Sequence, residues 1–553
     1  MTRQNWDGRL PPYRPEQTQR YLAAGVWQRQ TIAQQFESVA ARVPAADAVV
    51  SADGRLSYAE LSRESDLLAA ALHESGLDIG DPVLFQLNNR VSTVVAWYAT
   101  LKAGLVPVAT LAMHRMHEIS EISRRTRAVA HLVDATPGGS FDLVDLALTH
   151  AGTSTTVTHV LTVGSPHQVA STTRIEDLAT AVASDVARKV VHEIQAQIDP
   201  DDVAVFQLSG GTTNVPKVIP RRHAEYWYNA SAYADYLGWE PDVRVAHLGP
   251  VLHNAGVVCG IHAAHSVGGC LILGTPGATS TPLLVAEGVT DMIVGQFQFS
   301  GIAERGVGHL AGSLRRAVLS GAKVPAPVFD AIETAGIWSG QLFGMGEGFF
   351  AVTALDSSRE IRSNTVGTPM TELDEFKILE PGSDQELPDG TTGELCCRGP
   401  YTIPGYLDAA EHNASAFTVD GFYRTGDLAT VINLDGVRCL SINGRIKDLI
   451  NRGGEKINAE EVELLLLKHP DIREVAVVGM PDARMGERTC AYVASTAGVD
   501  IDAVRAHLDA LGVAKFKWPE RVEQVDGLPR SNVEKVNKKL LRVWAADAVR
   551  AGH

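Results

Sequence analysis

Glycine, hydroxyl and lysine side chains occur together in the stretch VFQLSGGTTNVPKVIPRRH, residues 205–223. An apolar run typical of a strand leads into a loop whose backbone N–H groups and hydroxyls could hold an anion. The loop consists of Ser209, Gly210, Gly211, Thr212 and Thr213, and Lys217 follows it with a positive charge. A P-loop needs glycine before its lysine and serine or threonine after it, whereas Pro216 and Val218 stand there. The stretch predicts either a phosphate-binding loop of another kind or a plain surface turn.

Two acidic side chains lie in glycine-containing segments farther along the chain. Glu347 belongs to QLFGMGEG, residues 341–348, and follows a run typical of a strand. Its carboxylate could bind Mg²⁺ carried by a nucleotide, although a solvated loop residue explains it better in isolation. Asp427 ends FYRTGD, residues 422–427, where we predict a turn in which the carboxylate could accept two ribose hydroxyls.

Charged residues are dense in two segments near the C-terminal end. NGRIKDLINRGGEKINAEEVE, residues 443–463, alternates in charge around a Gly-Gly turn and is typical of a charged surface hairpin followed by a well-capped helix. LPRSNVEKVNKK, residues 528–539, presents Lys535 in a basic loop, for which a solvated tail is the alternative interpretation.

Length and composition restrict the class of protein. A chain of 553 residues is too long for one hydrophobic core, so at least two domains are expected. The net charge of −16 and the lack of an obvious basic face argue against a nucleic-acid partner. The polar start and the lack of a long apolar run predict neither a signal peptide nor a membrane partner. The six scattered cysteines are expected to be free thiols in a reducing cytoplasm.

The elements that position these residues follow from the hydrophobic pattern. From about residue 31 to residue 282, strand-like and helix-like segments alternate, which predicts an α/β fold with largely parallel sheets. Residues 390–443 contain glycine-punctuated strand-like runs and predict a β-rich subdomain. We therefore expect a large N-terminal core of packed α/β sheets with a β-rich subdomain, residues 1–443, and a small mobile α+β C-terminal domain, residues 444–553.

The five segments, in this order, resemble the adenylate-forming superfamily of acyl- and aryl-CoA synthetases, adenylation domains of nonribosomal peptide synthetases, and luciferase-like enzymes. The resemblance extends over nearly the whole chain. The segments HNAG, SGAKV and RGPYTIPGYLDAAEHNASAFTVDGFYRTGD look most like stand-alone aryl-acid AMP ligases of the 2,3-dihydroxybenzoate and salicylate type. Such ligases start siderophore and related peptide assembly lines.

The resemblance implies a reaction in two steps. A carboxylate attacks the α-phosphate of Mg-ATP to give an acyl-AMP and pyrophosphate, and a phosphopantetheine thiol then takes the acyl group. The thiol belongs to CoA or to a carrier protein, which is expected to be a separate aryl carrier protein or a peptide synthetase carrier domain. A monomer or a homodimer is expected.

The resemblance also implies a role for each residue of the motifs. The loop from Ser209 to Lys217 holds the β- and γ-phosphates, Glu347 holds Mg²⁺, and Lys535 bridges the substrate carboxylate and the α-phosphate. The ATP site further includes Gly344, Met345, Asp427 (which holds the ribose) and Arg445. The hinge of the C-terminal domain and the thiol tunnel correspond to Lys447, Asp448, Gly453 and Gly454.

The resemblance places the acid against His253, Asn254, Ala255, Cys259, Ser320, Gly321 and Gly346. It implies that the Asn254 amide contacts an ortho hydroxyl or amino group. Ala255 replaces a bulky aromatic residue and predicts extra room, unless Phe297 or Phe349 fills it. Cys259 is similar to the salicylate type, and Gln296 or Gln298 could add a polar contact. The expected substrate is thus an ortho-substituted aromatic or heteroaromatic acid, salicylate-like or larger, including bicyclic acids.

Some positions depart from the family pattern. Asn214 replaces a glycine of the phosphate loop, Glu534 replaces the glycine before Lys535, and Gly346 stands where alanine is usual. Two alternative functions stay open. One is an aryl-CoA ligase that binds the CoA phosphate through Arg452 and Lys456. The other is an inactive nucleotide-binding homologue, against which the retained motif lysines and carboxylates argue.

Overall fold

The computed structural model describes residues 6, 8–136, 141–165, 167, 169–209, 216–275, 278–295, 298, 301–302, 305–308, 312–321, 324–453, 455–530 and 535–550. They form two compact units. The larger unit holds the described residues up to Glu375 and those of Arg398–Tyr423, and the smaller holds Phe376–Cys397 and the described residues from Arg424 onward. This division differs from the single cut expected between residues 443 and 444, which stays a prediction.

The strands of the larger unit form two sheets. The strands of the first are β1 (Asp47–Ser51), β2 (Gly54–Ser57), β10 (Arg244–His247), β11 (Cys270–Leu273), β12 (Asp291–Gly295), β13 (Arg316–Ser320), β14 (Trp338–Met345), β15 (Phe349–Val352) and β16 (Thr368–Pro369). Those of the second are β3 (Pro82–Gln86), β4 (Val106–Val108), β5 (Ala130–Asp134), β6 (His159–Val163), β7 (Thr173–Arg174), β8 (Val203–Leu208) and β9 (Val218–Arg222).

Both sheets are parallel in their centres. The first has the order β16-β15-β14-β13-β12-β10-β11-β1-β2, with antiparallel pairing only at its two ends. The second has the order β7-β6-β5-β3-β4-β8-β9, and only β9 is antiparallel to its neighbour. Central strands such as β3, β5 and β11 are mostly apolar and are buried along their whole length, as is typical of helix-covered parallel strands. The predicted α/β class is confirmed.

The helices of the larger unit cover these sheets. They are Pro15–Ala23, Ile32–Arg42, Tyr58–Glu74, Val91–Lys102, Met116–Thr126, Leu143–Thr153, Ile175–Thr180, Ser184–Gln195, His223–Tyr236, Asn254–Gly256, the π-helix Val257–His262, Ala263–Val267, the 3₁₀-helix Ala278–Ser280, Thr281–Ala286, Ala326–Thr334, Arg359–Asn364 and Ala410–Ala416. Capping boxes start two of them, because Thr31 and Ser57 accept from backbone N–H groups three residues on.

The smaller unit is built mainly from two sheets. One has the order β17 (Glu375–Leu379), β18 (Gly393–Arg398), β19 (Tyr423–Leu434), β20 (Val437–Arg445) and confirms the β-rich segment. The other contains β21 (Leu449–Arg452), β22 (Glu455–Asn458), β23 (Ile472–Asp482), β24 (Gly486–Ser495) and β25 (Arg521–Gln524). Its helices are the 3₁₀-helix Ile446–Asp448, Ala459–Leu466, Ile501–Ala510, the 3₁₀-helix Lys515–Lys517 and Lys538–Arg550.

One cluster of buried apolar side chains unites the larger unit. It contains residues of both sheets, such as Val245 and Phe85, and of the helices Ile32–Arg42, Val91–Lys102 and His223–Tyr236. All six cysteines are buried, and none forms a disulfide bond within the described part of the chain. Among the described residues, no helix combines the length and apolar character needed to cross a membrane.

A fully buried ion pair lies where β9 meets the helix His223–Tyr236. The side chains of Arg221 and Glu225 are 0% and 1% exposed and form two hydrogen bonds, of 3.0 and 2.7 Å. Arg221 also donates to the carbonyl oxygens of Gly346 at 2.8 Å and Tyr401 at 3.2 Å. The guanidinium is therefore the common donor for three separate segments of the larger unit.

Replacing Arg221 with Met should lower the free energy of unfolding by about 3–5 kcal/mol, because Glu225 would be a buried carboxylate without its cation. Denaturant unfolding followed by tryptophan fluorescence measures the change. The control is Arg29→Met, because Arg29 is 51% exposed and pairs with Asp199 and Asp201 at the surface. That variant should differ from the wild type by less than about 1 kcal/mol. Equal losses in the two variants would contradict the interpretation.

Candidate active site

The parallel strands of the first sheet bring candidate residues to one edge. β12, β13 and β14 run in the same direction, with Gly295 opposite Ser320 and Ser320 opposite Leu342. Their carboxyl ends therefore meet at the same edge, where ligands of open α/β sheets usually bind. Ser320 ends β13 and Gly321 follows it, and Gly344 and Met345 end β14.

Glu347 lies in the tight turn between β14 and β15, as the sequence predicts. Gly348 has φ of +87°, and a Cβ there would come within 1.7 Å of the Tyr401 carbonyl oxygen. Thr402 donates its hydroxyl to the Gly348 carbonyl at 2.6 Å, and the Ile403 N–H donates to the Glu347 carbonyl at 2.9 Å. The turn is thus fixed by the segment that follows Tyr401.

Glu347 is 8% exposed, and its carboxylate is hydrogen-bonded by a tyrosine. It accepts from the Tyr406 hydroxyl at 2.5 Å, and that hydroxyl lies 2.8 Å from the Tyr423 hydroxyl. Burial and the carboxylate raise the pKa of Tyr406 far above its usual range, so Tyr406 stays a donor. Mg²⁺ bound to a nucleotide needs only one or two protein carboxylates, and this single carboxylate fits that role. The described residues contain no cluster of three His, Cys, Asp or Glu that could hold a metal alone.

The phosphate-loop candidate joins two antiparallel strands. Leu208 of β8 pairs with Val218 of β9, and Ser209 and Lys217 extend the pairing through two hydrogen bonds of 3.0 Å each. A P-loop instead joins a strand to a helix, so its lysine must sit at a helix start. In a hairpin that requirement disappears, which accounts for Pro216. The predicted contacts at Gly210, Gly211, Thr212, Thr213 and Asn214 lie outside the described residues.

The Lys217 ammonium contacts two side chains that the sequence analysis did not single out. Its Nζ is 2.7 Å from His412 Nε2 and 4.9 Å from the centre of the Tyr406 ring. Partial burial, followed by the neighbouring Lys217 charge, lowers the pKa of His412. The imidazole is therefore neutral at pH 7 and accepts from the ammonium. Both partners lie in the quoted segment GYLDAAEHN, but nothing in its spacing pointed to Lys217.

The acid-site candidates begin at a helix interrupted by a π turn. His253 caps the helix by accepting from the Ala255 N–H at 3.4 Å. Gly256 has no room for a side chain, because a Cβ would lie 2.4 Å from the Val251 carbonyl oxygen. The π-helix Val257–His262 follows and buries Cys259, and burial raises the pKa of this thiol, which stays neutral. π turns occur frequently at functional sites.

Asn254 connects this helix to the strand end before Glu347. Its Oδ1 accepts from the Tyr226 hydroxyl at 2.9 Å, and its Nδ2 donates to the Met345 carbonyl at 3.4 Å. At Gly346, an added Cβ would press on Ile219. Whether Phe349, which is fully buried, fills the space left by Ala255 stays a prediction.

Of the other pocket candidates, the Gln298 amide oxygen accepts from the Gly295 N–H at 3.0 Å. Gln296 and Phe297 lie outside the described residues. The structure thus brings Asn254, Met345 and Glu347 together within the larger unit and leaves the remaining pocket roles as predictions.

Asp427 lies within β19, and the predicted turn at this position is wrong. The residue pairs across the ladder with Arg445 of β20, whose Nε is 2.9 Å from Asp427 Oδ1. Opposite charges on facing strand residues stabilise strand pairing. β19 therefore begins at Tyr423 and includes Gly426 and Asp427, where the sequence predicted a turn. The carboxylate is 5% exposed and is oriented by the guanidinium.

The hinge candidates lie in a short 3₁₀-helix between β20 and β21. Lys447 and Asp448 are both contacted by Arg542, which donates to the Lys447 carbonyl and pairs with the Asp448 carboxylate. Burial, followed by the neighbouring Arg445, lowers the pKa of Lys447. Gly453 follows β21, and its N–H donates to the Met485 carbonyl at 2.7 Å. Gly454 lies outside the described residues, and the hinge and tunnel roles stay predictions.

Lys535 is held between two anchored neighbours. Val536 pairs with Arg530, which forms an ion pair of 2.9 Å with Glu474 of β23. Lys538 is 2.7 Å from Glu463, a carboxyl whose pKa is raised by burial. The residues that flank Lys535 are thereby attached to β23 on one side and to the helix Ala459–Leu466 on the other. Glu534 lies outside the described residues.

Two family models match the chain. The first, described as an AMP-binding enzyme, matches residues 36–407. The second, described as the AMP-binding enzyme C-terminal domain, matches residues 461–535. Together they cover the segments that carry Lys217, Glu347 and Lys535.

Similar proteins extend over almost the full chain. Pyochelin synthase PchD of Pseudomonas aeruginosa is 36% identical over 548 residues, which are 95% of this chain and 94% of that protein. A Streptomyces protein named salicylyl-CoA synthase / salicylate adenylyltransferase is 37% identical over 547 residues, 96% of each chain. The apo structure of MbtA from Mycobacterium smegmatis is 32% identical, with a TM-score of 0.73, and the match covers 98% of this chain and 100% of that one.

Replacing His412 with Phe should raise the KM for ATP about tenfold with a smaller change in kcat, because Lys217 loses a charge-assisted hydrogen bond. Steady-state kinetics with varied ATP measure the effect. His412→Gln is the matched control, since its amide oxygen can still accept from the ammonium and should keep KM near the wild-type value. Two variants that both bind ATP like the wild type would contradict the assigned contact.

Proposed function

The chain belongs to the AMP-binding enzyme family, and from that premise we propose that it adenylates an aromatic acid and passes the aryl group to a thiol. The observation that best supports this proposal is the arrangement of side chains around the turn at Met345–Glu347. On one side its backbone accepts from the buried Asn254 amide, and on the other its carboxylate accepts from Tyr406, over which Lys217 lies. A polar group suited to an acid and a cation suited to phosphate therefore flank one fixed turn.

The first step joins two anions, so stabilisation of negative charge dominates its barrier. The acid oxygen forms a bond to the α-phosphorus, and the bond from that phosphorus to the bridging oxygen breaks as pyrophosphate leaves. Lys217 neutralises the β- and γ-phosphates, and Lys535 neutralises the carboxylate and α-phosphate. Asp427, oriented by Arg445, accepts from the ribose hydroxyls. Mg²⁺ held at Glu347 supplies further positive charge to the phosphates.

In the second step the thiol attacks the carbonyl carbon and AMP leaves. We propose a separate carrier protein as the source of the thiol, in assembly of a nonribosomal peptide or siderophore. Arg452 supports this choice over free CoA, because its guanidinium is engaged by Glu520 at 3.1 and 2.9 Å. CoA stays the second candidate, since the Streptomyces relative is named a salicylyl-CoA synthase.

The proposed acid is an ortho-substituted aromatic or heteroaromatic one, salicylate or a larger analogue. Asn254 supplies the polar contact to the ortho group. Cys259 is a neutral buried thiol and so a poor partner for a further hydroxyl at the 3-position. Ala255 leaves more room than an aromatic residue would.

ATP–pyrophosphate exchange with a panel of acids tests the proposed reaction. Salicylate and ring-enlarged ortho-hydroxy acids should support Mg²⁺-dependent exchange, and chelation of Mg²⁺ should abolish it. Acetate and a medium-chain fatty acid serve as controls and should stay at background. Exchange with 2,3-dihydroxybenzoate alone would contradict the enlarged pocket. Exchange with no aromatic acid would contradict the proposed function.

Replacing Lys535 with Ala should lower the adenylation rate at least about a hundredfold, because the charge on the α-phosphate is lost. Thiol transfer from preformed aryl-AMP should persist, and it is measured with a phosphopantetheinylated carrier protein and, in parallel, with CoA. Lys539→Ala, in the same basic segment, is the control and should retain both steps. Normal adenylation by the Lys535 variant would show that the assignment is wrong.

A further inference from the structure

We propose that Tyr226 fixes the Asn254 amide as a hydrogen-bond donor toward the acid, so that the enzyme selects acids whose ortho substituent presents a lone pair and rejects an ortho-amino group. The inference rests on the proposed function, because it requires an aromatic acid beside Asn254. The sequence allows either a hydroxyl or an amino group at the ortho position. The inference restricts the ortho substituent to one that accepts a hydrogen bond from Asn254.

The orientation of the amide follows from its neighbours. The Met345 carbonyl can only accept, so the nitrogen of Asn254 must be the atom that faces it, at 3.4 Å. The amide oxygen then faces Tyr226, whose hydroxyl donates to it at 2.9 Å. A flipped amide would place two oxygens together at Met345, and it would remove the Asn254 oxygen that accepts the Tyr226 proton.

Tyr226 is itself held as a donor. It is fully buried, and burial raises the pKa of its hydroxyl far above the usual range, so it stays protonated. The Arg221 guanidinium lies 4.2 Å from the centre of its ring, and the His262 ring packs against it at 5.5 Å. Gln207 supports this direction of the hydrogen bond from Tyr226 to Asn254. Its amide nitrogen faces the Leu252 carbonyl at 3.4 Å, and a hydrogen bond from the same amide stabilises the Tyr226 oxygen.

This arrangement leaves one N–H of Asn254 for a ligand. The amide nitrogen has two hydrogens, and the Met345 carbonyl is its one acceptor among the described residues. Asn254 is 7% exposed, so the second N–H has little access to solvent. A buried donor of this kind favours a ligand atom that accepts.

The chemistry of ortho-substituted acids then determines the choice. In salicylate the hydroxyl donates its hydrogen to the adjacent carboxylate, and the oxygen keeps lone pairs that can face Asn254. A ring nitrogen ortho to the carboxylate presents only a lone pair. In anthranilate one N–H donates to the carboxylate, and the other points toward the amide N–H. Two donors then face each other, and neither is satisfied.

The test compares kcat/KM in ATP–pyrophosphate exchange for salicylate, anthranilate, pyridine-2-carboxylate and unsubstituted benzoate. The wild type should prefer salicylate over anthranilate by at least about tenfold, and pyridine-2-carboxylate should exceed benzoate. Tyr226→Phe releases the amide oxygen and should reduce the salicylate-to-anthranilate ratio at least about fivefold, while the KM for ATP stays unchanged.

Tyr233→Phe is the matched control. Tyr233 is fully buried on the same helix, and its hydroxyl has no hydrogen-bond partner among the described residues. Its loss should leave the ratio at the wild-type value. Equal use of salicylate and anthranilate by the wild type, or an equal change of the ratio in both variants, would overturn the inference and leave the proposed function intact. Exchange with none of the acids would overturn both.

Discussion

The buried charge of Arg221 is the constraint on which the larger unit's site depends. This arginine lies in β9, the strand that follows Lys217. It pairs with Glu225 and donates to the carbonyl oxygens of Gly346, next to Glu347, and of Tyr401. A guanidinium has five donors in a fixed plane, so one side chain can set the relative positions of several backbone segments. Lysine has neither this geometry nor this number of donors. The segments that carry Lys217 and Glu347, the candidate ligands of phosphate and Mg²⁺, are thus both positioned by the Arg221 guanidinium.

The candidate site holds a positive side chain, Lys217, although the chain as a whole is negatively charged. The protein carries a net charge of −16, yet Lys217 is presented on a neutral imidazole and an aromatic face instead of in an ion pair with Glu347. The carboxylate is occupied by the Tyr406 hydroxyl, a neutral donor. Neutral partners orient both groups without cancelling their charges.

Sequence reasoning predicted the parts of the fold that depend on local pattern. The alternation of strands and helices follows from hydrophobic periodicity, and the turn that carries Glu347 follows from the glycines around it. It failed at Asp427, because pairing with Arg445 on a neighbouring strand outweighed the local Gly-Asp turn signal. It also could not identify Arg221 as the buried member of two adjacent arginines, or His412 as the partner of Lys217. Such contacts join residues distant in the chain and leave no local signature.

The π turn at Val257–His262 has a consequence for how such a pocket diversifies. A π turn contains one residue more than an α turn, so removing one residue from it would restore ordinary α-helical hydrogen bonding and shift the residues of that turn by one position, while the rest of the helix keeps its orientation. Cys259 would then be exchanged for a neighbour without any point substitution. The flanking strands β10 and β11 need not move, because they are fixed by the sheet. A one-codon deletion is therefore a short route to a different set of side chains at this turn.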